Sequence, residues 1–162
     1  MINLQPITWE NYDEIIHNLS TSQEQEEFCT TNVDALAKAY MAYTVSGLQP
    51  HVFGMYYGDA PIGFVKLFYD NRGKVVYKSC EGQAYYEIWH FMIDKKYQGK
   101  GYGRKGMEAV LKLLHTKPYG EAEFLYLTYE TGNFGAGKFY AALGFTETGD
   151  TTEDEVTVRL KI

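Results

Sequence analysis

The sequence predicts an α/β fold: a mixed, mainly antiparallel central sheet with helices on both faces. Three observations carry this. Strand-like runs, alternating or aromatic, recur from one end of the 162-residue chain to the other. Segments with helical periodicity stand between them rather than in a block of their own. The early strands follow through short turns, which pairs them antiparallel, whereas a long strand ending near residue 93 runs through a glycine loop and a helix before the next strand, a crossover.

A short strand opens the chain. Trp9, Tyr12, Ile16 and Leu19 then share one helical face, as do Val33, Leu36, Ala37 and Tyr40 after Asn32, an expected N-cap. His51 to Tyr57 and Ile62 to Tyr69, joined by Gly58-Asp59-Ala60-Pro61, read as an antiparallel hairpin. A polar link from Asp70 to Gly82 leads into Ala84 to Ile93, a long aromatic strand. Met107, Val110, Leu111 and Leu114 form the apolar stripe of a helix ended by Pro118. Phe124 to Tyr129 reads as a buried strand and Asn133 to Leu143 as a helix closed by Gly144. Val156, Val158, Leu160 and Ile162 alternate as the last strand. No repeat or linker interrupts this, so residues 1–162 are expected to form one domain.

Composition bounds the function. Two cysteines, Cys29 and Cys80, without paired spacing argue against a disulfide framework or a metal site and fit a reducing cytoplasm. The N-terminus mixes Asn3, Gln5, Pro6 and Glu10 with apolar residues, so neither a signal peptide nor a membrane span is expected there. A net charge of −6 disfavours nucleic acid and favours a cationic small molecule. Fifteen tyrosines and nine phenylalanines suit either an aromatic core or a pocket lined by amphipathic rings.

The most informative stretch is Tyr97-Gln98-Gly99-Lys100-Gly101-Tyr102-Gly103-Arg104-Lys105, placed between the aromatic strand and the helix after it. Glycines let a backbone approach an anion, and the amides that open a helix point their positive dipole end at it. Gly101-Tyr102-Gly103-Arg104-Lys105-Gly106 also satisfies the dinucleotide pattern G-x-G-x-x-G, yet only about 55 residues follow, too few for a complete nucleotide-binding sheet. No Gly-Lys-Ser/Thr, His-Arg-Asp or Asp-Phe-Gly supports a P-loop or a kinase.

Gln98-Gly99-Lys100-Gly101-Tyr102-Gly103 resembles the Gln/Arg-x-x-Gly-x-Gly/Ala loop of GNAT (Gcn5-related N-acetyltransferase) enzymes. A second block, Asn133 to Phe145, resembles that family's Asn-x-x-Ala-x-x-x-Tyr-x-x-x-Gly-Phe, at the expected distance. The resemblance implies transfer of an acetyl group from acetyl-CoA to an amine, on a sheet splayed open at the strand that binds the coenzyme. It implies cofactor contacts at Phe91, Met92 and Ile93 along that strand, at Gln98, Gly99, Lys100, Gly101, Tyr102, Gly103 and Arg104 in the loop, and at Asn133 and Lys138 in the second block. The family often has proline where Lys95 stands, so the approach to the loop is expected to differ slightly.

An amine acceptor must lose a proton before it attacks, and the departing thiolate gains from receiving one. Tyr140 matches the family's tyrosine and is expected as the acid; the bland alternative is a core ring. Glu87, eleven residues before Gln98, is the preferred base by comparison with one branch of the family. Strand alternation would place Glu87 with Trp89, Phe91 and Ile93, and His90, the second candidate, on the opposite face. Residues Asn32 to Tyr40 and Phe91 to Gly101 resemble bacterial diamine and spermine/spermidine acetyltransferases. A polyamine acceptor would be held by carboxylates such as Glu27, with His90 where some relatives have arginine. The alternatives are another amine, such as an amino acid, an aminoglycoside or a protein N-terminus, and a non-catalytic acyl-CoA-binding module. The expected partner is a small-molecule amine, with neither nucleic acid nor membrane, and a homodimer stays open.

Overall fold

The computed structural model describes residues 1–71, 78–80, 82–150 and 153–162. Much of the polar link after Asp70 lies outside the described residues. The strands are β1 (Ile2–Pro6), β2 (His51–Tyr57), β3 (Ala60–Asp70), β4 (Tyr85–Ile93), β5 (Phe124–Glu130), β6 (Thr146–Glu147) and β7 (Glu155–Lys161). The helices are α1 (Tyr12–Ile16), α2 (Asn32–Ser46), α3 (Tyr102–Leu114) and α4 (Phe134–Ala141). One sheet runs in the order β1-β2-β3-β4-β5-β7-β6. Every pairing is antiparallel except β4 with β5, the crossover through α3.

Two apolar layers flank the sheet. On one face Met107, Val110 and Leu114 of α3 pack on Met55, Val65, Tyr86, Ile88 and Leu125, with Tyr140 and Leu143 against the same layer. On the other, Ile15, Ile16 and Ala35 cover Tyr56, Phe64 and Met92.

The parallel pair is short. Only Tyr86, Glu87 and Ile88 pair with Leu125, Tyr126 and Leu127, although β4 continues to Ile93 and β5 to Glu130. The two strands part, and the β5-facing edge of Phe91, Met92 and Ile93 is left open while their other edge pairs with Val65, Phe64 and Gly63. This is the splay the resemblance implies.

Three local readings of the sequence change. Helix α1 begins only at Tyr12; Trp9 stands in the preceding turn, 93% exposed, because Asn11 Oδ1 accepts the Thr8 amide at 2.7 Å and closes that turn first. Thr31, not Asn32, caps α2, its hydroxyl accepting the Asp34 amide, while Asn32 is buried and donates Nδ2 to the Ile15 carbonyl. The buried stripe of α2 is Ala35 and Ala39, whereas Tyr40 is 67% exposed and Val33 also faces out. That helix is apolar nearly all round, so periodicity alone could not choose its inner side. The small alanines win because they let the helix approach the sheet, close enough for the Lys66 ammonium on β3 to donate to the Ala35 carbonyl at 3.2 Å.

Candidate active site

The glycine loop enters α3 as an open anion cradle. Gly99 and Gly101 sit at φ +71° and +79°, and Gly101 is the N-cap of α3, with no side chain capping it. The amides of the first turn have no partner within the helix by its geometry. A Cβ on Gly99 or Gly101 would meet nothing within 4 Å, so the space in front of them is free for a ligand. Gly103 has another reason to be small: its added Cβ would meet the Phe139 ring at 3.2 Å, where α3 crosses α4.

The cationic side chains of this loop are engaged with the protein. Lys100 Nζ donates to the Lys96 carbonyl at 2.7 Å, Arg104 to the Ala142 carbonyl at 3.1 Å, and Lys105 lies over the rings of Tyr57 and Tyr102. Gln98 is a fastener: its Nε2 donates to the Ile93 carbonyl at 2.8 Å and to Gln25 Oε1 at 2.7 Å. The cradle is therefore made of backbone amides and a helix dipole, which suit a diphosphate.

A buried carboxylate holds the loop's approach. Asp94 accepts the amides of Ser20 and Lys96, at 3.0 and 2.9 Å. The Lys95 amide donates to the Ser20 carbonyl at 2.9 Å, a bond that a proline in that place could not make. The departure noted at Lys95 thus serves to tie the segment before α2 to the approach of the glycine loop.

Strand β4 does not keep the alternation expected of it. Leu67 pairs with Ile88 and Lys66 with His90, so Trp89 is an extra residue in a β-bulge. The bulge reverses the parity. Tyr86, Ile88, Phe91 and Ile93 face α3, while Met92 joins the α2 layer and His90 sets its ring against Phe64, edge-on at 5.3 Å. Glu87 consequently shares the α2 side with His90, not the side of Phe91 and Ile93, and the Lys66 ammonium there feels its charge. Lys66 is 4% exposed and lies 5.4 Å over the Trp89 ring, which itself stacks on Phe68.

Burial and the neighbouring Lys66 push the His90 imidazole down to about 4, so it is neutral at physiological pH. Its Nε2 lies 3.8 Å from Cys29 Sγ, and burial lifts that thiol to about 11. Glu27 is exposed, two residues before Cys29.

Across the splay, Asn133 caps α4 by accepting the Ala136 amide at 3.0 Å. Tyr140 packs between the rings of Tyr129, Phe139 and Phe145, with centroids 5.1 to 6.1 Å away. Its hydroxyl makes no hydrogen bond among the described residues, and burial raises it well above an ordinary phenol. Lys138 lines a cavity of about 380 Å³ with Tyr129, Glu147 and Val158, toward the β6–β7 edge. Cys29, Lys66, Asp94 and the bulge at Trp89 went unread in the sequence. Lys66 alone left a trace, a single charge inside the apolar run of β3.

An uncapped helix mouth after a parting parallel strand pair, with Tyr140 packed on α4 beside it, suits the binding of an acyl-coenzyme A. The chain matches the Acetyltransferase (GNAT) family over residues 13–145. It belongs to that family and is an acetyl-CoA-dependent N-acetyltransferase, with acetyl-CoA as co-substrate. It is 28% identical over 153 residues to a spermine/spermidine N(1)-acetyltransferase of Bacillus subtilis, covering 92% of this chain and 90% of that one. Among solved structures it resembles spermidine N-acetyltransferase from Vibrio cholerae in complex with CoA and spermine, with a TM-score of 0.66, 18% identity, and coverage of 99% and 95%. An aminoglycoside acetyltransferase in complex with coenzyme A gives a TM-score of 0.68 at 16% identity, with coverage of 99% and 95%. At these identities the solved structures speak for the fold.

Proposed function

We propose that the acceptor is a polyamine or diamine, acetylated on a primary amine by direct attack on the thioester. The observation that carries this is the likeness to spermine and spermidine acetyltransferases over 92% of the chain. The net charge of −6 and the exposed carboxylates of Glu24, Glu26 and Glu27 before α2 agree with a polycation.

When bound, acetyl-CoA supplies the electrophilic thioester carbon. The first-turn amides of α3, with Gly99 to Arg104, hold the diphosphate. The open edge of Phe91 to Ile93 takes the pantetheine arm as an added strand and offers amides to the thioester carbonyl. Asn133 and Lys138 contact the coenzyme from α4. Glu87 takes a proton from the acceptor ammonium on the α2 side of β4, and Glu27 with His90 lines the acceptor's path. Tyr140, whose hydroxyl is otherwise unengaged, gives its proton to the departing sulfur.

Thiol release from acetyl-CoA, measured over a panel of amines, tests the reading. Turnover with spermidine, spermine or a diamine is expected. Release confined to amino-sugar antibiotics or amino acids would overturn the acceptor class and leave the acetyltransferase in place.

A further inference from the structure

Helix α2 covers the sheet with one side only, and its opposite side is apolar too. Val33, Ala37, Tyr40 and Thr44 follow one another along the outward line, with Met41 and Val45 beside them. The two charges of the helix, Asp34 and Lys38, neutralise each other at 2.8 Å, and the turns from Tyr40 to Ser46 carry none. Trp9 extends the patch, its ring 6.4 Å from that of Tyr12. Tyr12 in turn lines, with Tyr40 and Tyr43, a groove of about 580 Å³ whose walls include Leu36, Pro50 and Val52. Among the described residues no charged side chain lines that groove.

The size of this face bears on what covers it. Trp9, Tyr40 and Tyr43 are 93, 67 and 61% exposed, which at ~150–250 Å² per aromatic side chain leaves roughly 300–500 Å² of ring surface in water. Val33, Met41 and Val45, exposed as well, bring the face to the order of the ~800 Å² that each partner gives to a standard stable interface. Its chemistry narrows the choice further. A nucleic acid or an anionic membrane calls for basic residues and a polycation for carboxylates, and this neutral face supplies neither excess. The partner it fits is uncharged and aromatic, as a second copy of the same face is. The shape is also self-complementary: Tyr40 forms a ridge, with hollows at Ala37 and Thr44 one turn to either side.

We propose that the outward face of α2 is the interface of a two-fold dimer of this chain. The two helices pack antiparallel, each Tyr40 ridge seated in a hollow of the other copy, and the rings of Trp9 and Tyr43 close over the groove. Because α2 meets its own sheet through Ala35 and Ala39 on the other side, pairing requires no change in the fold. It holds whatever amine the enzyme accepts.

Sedimentation velocity on the full chain, at about 1 and about 100 µM, tests this. Wild type is expected to pass from the mass of one chain toward twice that mass, and to associate more tightly in high salt, which screens the repulsion between copies of charge −6. Tyr40→Glu sets two carboxylates close to the axis and is expected to raise the dissociation constant about thirtyfold or more. Met41→Glu is expected to act in the same direction, whereas Thr116→Glu, after α3 on the opposite face, adds the same charge and is expected to do little. In dilute protein, where the copies are apart, all three variants are expected to melt as wild type does, so that lost pairing is not lost folding. A chain that stays monomeric at about 1 mM, a dimer indifferent to both α2 variants, or one that salt dissociates would overturn the interface. Flotation with phosphatidylcholine vesicles by wild type but not by Tyr40→Glu would overturn it in favour of a bilayer.

Discussion

Tyr140 keeps its ring among Tyr129, Phe139 and Phe145, so phenylalanine in its place preserves the packing and removes only the proton. Tyr140→Phe should lower kcat by roughly 10² or more while calorimetry finds acetyl-CoA affinity unchanged; equal turnover would make the ring merely structural. His90 offers a second measurement. Its folded value of about 4 lies below the unfolded value near ~6.5, so the unfolded chain binds the extra proton between the two. Its contribution is intact above that upper value and is lost as pH falls toward 4, on the order of 2–3 kcal/mol in all. Urea unfolding at pH 7 and pH 4.5 should show a smaller acid loss in His90→Gln than in wild type. Tyr140 and Glu87 were nameable as candidates through the family resemblance, each by its distance from a motif. Cys29 was not, because its partner His90 is 61 positions away and only the fold brings them together.

Strand β4 shows where sequence reading of an element stops. Its ends were legible from aromatic density and the glycine loop, but one inserted residue, Trp89, turned Glu87 to the face of His90, and no period-2 pattern marks a bulge in advance. Helix α2 failed for a related reason: apart from Asp34 and Lys38 it is apolar nearly all round, which leaves its phase weakly marked. Tyr40→Ser should leave the melting temperature nearly unchanged, whereas Ala35→Leu should cost about 1–3 kcal/mol by overpacking against the sheet; the reverse ranking would turn the helix over. The mouth of α3, by contrast, was readable because glycine has a backbone meaning. Gly101→Ala should cost about 1–2 kcal/mol of stability for its left-handed φ, and should weaken coenzyme binding as its methyl enters the free space. Titration calorimetry giving wild-type affinity would mean the loop is not the cradle.

Taken as a whole, the molecule packs α3 and α4 on one face of one sheet and α1 and α2 on the other, which on the proposed reading are the coenzyme and acceptor sides. The order of elements disclosed that architecture; the charge of −6 disclosed only a tendency. Raising salt from about 0.05 to about 0.5 M should increase KM for a polyamine with little effect on kcat, because screening shortens the reach of the acidic rim. A salt-independent KM would place recognition in short-range contacts instead. Asp94 joins the two faces at one atom group, since the same carboxylate receives the amide of Ser20 and that of Lys96. Loosening at Ser20 is thereby loosening at the entry to the glycine loop. On the proposed reading, a ligand that orders either side of this carboxylate would lower the ordering cost left for a ligand on the other.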